Sequence, residues 1–281
     1  MTRRGFVIAG FVAGVGLALP AAPARAQAPS GNTLDEVKKR GVVRVGVRLD
    51  VPGFGIVDEK GATVGFDIDI ATELARRLGV KIELVPVTAA TRIPLLQQGR
   101  IDMIVATLTH YRARDQVIDF TIGYFWTGQK LMVKKGSGIR SAADLAGKHV
   151  GTTVGALALK NLLAAQPKAI GQTFEGYPEA FLAMQRGLVD AVVADIIILA
   201  GLRANSPSPG DYVIVGDSLG GGDYAIGVRE NDSRWRDTLN FDLQDMWKDG
   251  TWDRIYAKWI GPGTPLNLEK SEIGFKMEIW E

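Results

Sequence analysis

Two arginines stand where a cation is least expected. In residues 92–125, RIPLLQQGRIDMIVATLTHYRARDQVIDFTIGYF, an apolar run over 101–106 breaks at Thr107-Leu108-Thr109. The segment that follows reads as a helix to about residue 118, with Arg112 and Arg114 in its first turns. Thr91-Arg92 repeats the pattern at the start of another short helix. A helix start already carries partial positive charge from unpaired N–H groups, so a cation there needs something anionic to offset it. Threonine hydroxyls, free N–H groups and a guanidinium at one strand end make a candidate socket for a carboxylate, with Arg112 the more peripheral of the two.

Other strand ends add to the set. Arg48 closes a strand over 42–47, and Phe54 lies in the loop that follows. Gly155, with Ala156 and Leu157, follows a strand over 148–154, and Asp195 ends one over 189–194. Ligands of open α/β sheets bind beyond the carboxyl ends of the strands. Three cations from one half of the chain facing an acid from the other would match a zwitterion with an extra negative charge. Each residue also has a purely structural alternative. Arg48 could be solvated, Arg92 could pair with a nearby acid, and Arg114 could serve Asp115 or Asp119. Asp195 could cap the helix after it, and Phe54 could belong to the core.

The elements that must position these residues alternate between strand and helix, which argues for α/β with mainly parallel sheets. In the first half, strands are expected over 42–47, 81–87 and 101–107, with an amphipathic helix from about 67 to 78 stopped by Gly79. From Lys130 the pattern restarts: strands over 130–134, 148–154, 189–194 and 212–215, and helices over 141–146, 156–165, 177–187 and 196–204. A strand over 224–228 and two aromatic-bearing helices to about 259 return to the first half. Two lobes joined by two crossing strands follow, with lobe one at 27–126 plus 224–281 and lobe two at 127–223. The tail from Gly261 reads as irregular.

Residues 1–26 are set apart from this fold. Arg3-Arg4, an apolar run over 6–19 and Ala24-Arg25-Ala26 make a basic region, a hydrophobic region and a cleavage site, the pattern of a cleaved export signal. The start also fits the twin-arginine pattern, so both export routes remain open. Removing Arg3, Arg4 and Arg25 from the 33 basic residues leaves 30 against 31 acids, a net charge near −1. No basic field remains to attract nucleic acid. Cysteine is absent, so neither a disulfide nor a lipid-anchored cysteine is expected, and roughly 255 residues must hold together by core burial. A monomeric periplasmic protein is expected.

Several blocks, in order, carry a family likeness: GVVRVGVRLDVPGF, GFDIDIATELARRLGV, the 92–125 stretch, DLAGKHVGTTVG and GLVDAVVAD. Over about residues 34–275 the chain resembles the solute-binding proteins of polar amino-acid ABC transporters, which have the type II periplasmic binding fold. The resemblance implies that Arg114 clamps a ligand α-carboxylate, that Thr107 and Thr109 contact it, and that Asp195 receives the α-ammonium. Arg48, TRIPLLQQG with Arg92, and ILAGLRA after Asp195 resemble the glutamate/aspartate-binding branch, where extra arginines hold a side-chain carboxylate. The chain departs from that pattern at Ala156 and Leu157, where hydroxyl residues are usual, at Val51, and at Tyr177, where the branch has a histidine. The resemblance implies a small-molecule ligand, no cofactor, no metal and a partner permease in the inner membrane.

Three other chemistries are weaker. Gly216-Asp217-Ser218-Leu219-Gly220 fits G-x-S-x-G, but the serine lies between two strands and both histidines, His110 and His149, precede it, against the order of that hydrolase site. Two histidines without cysteine offer no zinc set. A cyclohexadienyl dehydratase, which resembles the same family, would need Asp195 or Glu179 as a proton donor.

Overall fold

The computed structural model describes residues 32–280; the export signal expected over 1–26 lies outside them. Within this range the chain folds as two α/β lobes. In strand order the sheet runs Lys81–Pro86, Val42–Val47, Met103–Ile104, Gly221–Val228, Asp119–Lys134, Ala191–Asp195, His149–Thr153 and Ile170–Phe174, with Tyr212–Val215 also on Asp119–Lys134. Val42–Val47 is parallel to Lys81–Pro86 and Met103–Ile104, and His149–Thr153 is parallel to Ile170–Phe174 and Ala191–Asp195.

The 16-residue strand Asp119–Lys134 carries the chain between lobes. Its first part, to Gly128, pairs antiparallel with Gly221–Val228. Its second part, from Gln129, pairs with Ala191–Asp195 and Tyr212–Val215. The ladder with Gly221–Val228 shifts register around Ala225, an irregularity of the bulge type that bends a strand.

The core follows from periodicity. Helix Phe66–Leu78 buries Phe66, Ile70, Leu74 and Leu78 along one stripe and stops at Gly79, whose φ is 67°. Gly65 before it is required sterically: with φ at 146°, a β-carbon would lie 2.1 Å from the Phe54 carbonyl oxygen. Helices Ser233–Lys248 and Thr251–Trp259 close this lobe. Buried Trp235 donates to the Asp102 carbonyl (3.1 Å) and buried Trp252 to that of Tyr124 (2.8 Å), so each indole N–H is satisfied as well as each ring buried.

Four expectations change. The tail from Gly261 is not wholly irregular but carries a short helix, Lys270–Ile273. No helix follows Thr109. Residues 112–117 form turns, with the Val117 and Ile118 N–H groups both bonded to the Arg114 carbonyl, so no helix dipole acts on Arg114. The run FTIGYF, left without an element, is the first half of the long strand. Ile170–Phe174, an exposed edge without a buried apolar face, is a strand that periodicity could not reveal.

Candidate functional site

The ends of the parallel strands bring the expected residues together. Arg48 follows Val42–Val47 directly, and Arg92 opens helix Arg92–Gln97 after Lys81–Pro86. Thr88 and Thr91 fix the connection ahead of Arg92: the Thr88 N–H donates to Thr91 Oγ1 at 2.9 Å, and the Thr91 N–H to Thr88 Oγ1 at 3.2 Å. Thr107 and Thr109 follow Met103–Ile104, Gly155 follows His149–Thr153, and Asp195 closes Ala191–Asp195. Arg48, Arg92, Thr107, Thr109, Arg114, Tyr177 and Asp195 are all buried, each at 7 % exposure or less.

The three guanidinium groups differ in their partners. Arg48 meets Asp50 in a fork, its Nε 2.7 Å from Oδ1 and its Nη2 on Oδ2. Arg92 has no ion pair among the described residues: Nη1 donates to the carbonyls of Ala106 and Thr107, and buried Nε has no partner. Arg114 donates to the Thr109 carbonyl (2.9 Å) and, across the crevice, to that of Gly155 (3.1 Å). Its guanidinium lies 4.6 Å from the Tyr111 ring centroid, and Asp115 instead meets His110 (2.9 Å).

The electrostatics follow these contacts. Burial, with Arg114 and Arg48 nearby, pushes the Arg92 pKa down to about 9. Burial likewise lowers that of Arg114. Burial works against the Arg48 charge too, but the hydrogen bonds and charge of Asp50 outweigh it and hold that pKa up. Buried cations without counter-ions are costly, so the Arg92–Arg114 side of the crevice suits an anion.

Behind it, Thr107 has a φ of 46°, a strained conformation for a β-branched residue. Asp67 holds it there, accepting the Thr107 N–H (2.8 Å) and the Tyr124 hydroxyl (2.9 Å). Thr107 Oγ1 is buried without a partner. Burial raises the Asp67 pKa to about 7 despite those hydrogen bonds.

Asp195 stands at the N-cap position of helix Ile196–Ala204, but its side chain makes no capping hydrogen bond. It accepts the Tyr224 hydroxyl at 2.6 Å and a hydrogen bond from Gln129, which in turn accepts from Asn161 (2.8 Å). Gln129 and Tyr224 lie on the two strands that join the lobes, and Gln129 is the direct sheet partner of Asp195. Burial raises the Asp195 pKa. The sequence reading missed Asp50, Asp67, Gln129 and Tyr224; Asp67, a carboxylate on the apolar face of an amphipathic helix, was the one visible signal.

The remaining candidates form a barer wall. Gly155, with φ 81°, stands at a close approach of the two lobes, because a β-carbon there would lie 2.8 Å from the Ala89 carbonyl oxygen. Ala156 and Leu157 are half-buried and lead into helix Ala158–Ala165, which has no side-chain cap. Phe54 belongs to the core: fully buried, its ring packs on Phe66, Phe125 and Tyr224 at 5.2–5.9 Å between centroids. Glu179 is exposed, on the helix that Tyr177 opens, and it lines a solvent-open cleft with Asp50.

An anion-seeking crevice between two lobes of this fold is the setting of a binding protein, and the comparisons agree. The chain belongs to the bacterial extracellular solute-binding proteins, family 3, which it matches over residues 43–262. It is 37 % identical to the ABC transporter glutamine-binding protein GlnH of Bacillus subtilis (strain 168), covering 82 % of this chain and 85 % of the relative. It is 29 % identical to the L-glutamate/L-aspartate-binding protein of Pseudomonas aeruginosa, over 91 % and 90 %. Among solved structures, an ancestral arginine-binding protein bound to glutamine is 41 % identical with a TM-score of 0.74, covering 79 % of this chain and 99 % of that one. The ancestral amino acid-binding protein AncCDT-1, a precursor of cyclohexadienyl dehydratase, is 35 % identical with a TM-score of 0.75, over 82 % and 100 %.

Proposed function

We propose that this chain is the periplasmic solute-binding component of an amino-acid ABC importer, and that its ligand is an acidic amino acid such as glutamate or aspartate. The observation that carries the acidic reading is Arg92, a buried guanidinium without a carboxylate partner among the described residues. Arg114 takes the α-carboxylate together with the Thr109 backbone, Asp195 takes the α-ammonium, and Arg92 and Thr107 take the side-chain carboxylate. A planar guanidinium suits a carboxylate fork. With Arg48 neutralised by Asp50, and with Asp67 occupied by Thr107 and Tyr124 and pushed by burial toward its neutral form, two cations and one acid are left to face the ligand, the complement of a net charge of −1.

The ligand docks on lobe one and the second lobe closes over it, carrying Asp195. Two-sided contact gives the closed form the differential affinity that closure requires. The joining strands near 126–131 and 222–226 absorb the rotation, with the lobe boundaries near 127 and 223. The export signal delivers the protein as a monomer to the periplasm, where an inner-membrane permease reads the closed form. Glutamine is the second reading, favoured by the relatives named as glutamine-binding. Binding is favoured over dehydration because Glu179 is exposed to solvent and Asp195 accepts hydrogen bonds from Tyr224 and Gln129, which suits it to receive an ammonium rather than to donate a proton.

A thermal-shift panel of glutamate, aspartate, glutamine, arginine and prephenate separates these readings, followed by calorimetry, since stabilisation grows with ligand concentration over Kd. Glutamate or aspartate should bind most tightly. Tighter binding of glutamine or arginine, or turnover of prephenate, sinks the acidic assignment.

A further inference from the structure

Asp50 sits between the two lobes, with Arg48 on one side and Tyr177 on the other. Its carboxylate fills the Arg48 fork through both oxygens, and Oδ2 also accepts the backbone N–H of Tyr177, from the opposite lobe, at 3.3 Å. The Tyr177 ring lies under the same guanidinium, 4.8 Å from its Cζ to the ring centroid. Arg48 is 2 % exposed while the Asp50 side chain is 25 % exposed, so the pair closes the crevice at its mouth. Outside it lies a solvent-open cleft of about 320 Å³ whose lining includes Asp50, Thr88, Thr91, Glu175, Gly176 and Glu179. Gly176 keeps the approach open: a β-carbon there would lie 3.1 Å from Asp50 Oδ2.

We infer that Asp50 sets both specificity and closure: it occupies Arg48 from within the chain and fastens the pair to Tyr177 of the other lobe. Arg48 is therefore a latch rather than a ligand contact. The ligand meets the surplus charge of Arg92 alone. A free Arg48 would add a second surplus cation and favour ligands of higher negative charge. The specificity half of this inference rests on the acidic-ligand reading; the latch half does not.

The test is a mutant cycle on the full-length exported protein, using wild type, Asp50→Asn, Arg48→Met and the double variant. Kd for L-glutamate and L-glutamine is measured by calorimetry and dissociation by stopped flow. Asp50→Asn should speed dissociation of both ligands about fivefold, because latch contacts form in the closed state. It should also raise the glutamate-over-glutamine preference about tenfold, since the exposed Arg48 charge then faces the ligand. Arg48→Met in that background should abolish the raised preference. Arg48→Met alone should speed dissociation and lower the glutamate-over-glutamine preference, because it strands the Asp50 carboxylate. The double variant, with neither charge, should return the preference to within about twofold of wild type and dissociate no faster than either single one, the mark of groups acting as a unit.

An unchanged preference in Asp50→Asn overturns the specificity half, and so does a double variant that keeps the raised preference. Additive dissociation effects overturn the latch. If the wild type prefers another amino acid, the acidic reading fails but the latch does not, and the dissociation cycle is read on that amino acid. Should Asp50→Asn not fold, Tyr177→Leu leaves the ion pair whole and removes the ring beneath it. That variant should dissociate faster with its preference intact, and wild-type dissociation overturns the latch.

Discussion

Arg48 and Arg92 lie on the same lobe, each just past a strand of one parallel sheet, and each is almost wholly buried. Arg48 has a carboxylate in its fork two residues along the chain, and its pKa is held up. Arg92 has two backbone carbonyls and an idle Nε, and its pKa is pushed down. Burial alone therefore does not mark a ligand contact. A buried charge whose partner lies within the chain is structure, and one whose partner is missing is an invitation. The same distinction applies to the carboxylates: Asp67 is tied to Tyr124 and Thr107, while Asp195 is held by Tyr224 and Gln129 of the two joining strands and approached electrostatically by Arg114 and Arg92.

Arg114→Ala should produce the largest effect. It strands the α-carboxylate, so carboxylate ligands should lose about a hundredfold or more in affinity by calorimetry; near-native binding would refute the clamp. Arg92→Met tests the comparison itself. It should weaken glutamate roughly thirtyfold and glutamine only about threefold, because one charge-assisted pair is lost for the acid. In the ligand-free protein Arg92→Met should raise Tm and Arg48→Met should lower it, the latter leaving Asp50 unpaired. The reverse order in calorimetric melts would break the contrast.

Asp195→Asn should cost amino acids about tenfold, through loss of a charge-assisted hydrogen bond, and spare succinate. Equal losses for both would show that no ammonium is read there.

The smallest effect is the pH response of Asp67. Its folded pKa of about 7 lies above the usual carboxylate value, so between about pH 4 and 7 the folded state holds the extra proton and stability falls as pH rises. Ionised Asp67 also competes with an anionic ligand for Arg92. Glutamate affinity should therefore drop about threefold between pH 6 and 8 in the wild type and stay flat in Asp67→Asn. Parallel profiles would remove Asp67 from the site.

The strand ends were legible because their neighbours repeat along the chain. Val42–Val47 alternates valine with Arg44 and Gly46 and is followed by Arg48, Ala191–Asp195 is an apolar run closed by its aspartate, and Phe66–Leu78 has an apolar stripe with a glycine stop. Placing Arg48, Arg92, Arg114 and Asp195 around one crevice needed only the rule that ligands lie past strand ends. The segment after Thr109 was misread as helix because its polar spacing mimics a first turn. No apolar face backs it, and its N–H groups close turns on Tyr111 and Arg114 instead.

The sequence alone determined the two-lobed α/β design, because hydrophobic periodicity and turn residues act locally. It also supplied the inventory of three arginines and an opposing acid. Only the tertiary structure decided which of those charges are satisfied. The Asp50–Tyr177 bond spans 127 residues and the Tyr224–Asp195 bond 29, and no local pattern encodes either. The opening puzzle, arginines at strand ends with no local anion, thus divides in two: Arg48 has its counter-ion inside the protein, while Arg92 and Arg114 make no ion pair among the described residues and donate to backbone carbonyls instead.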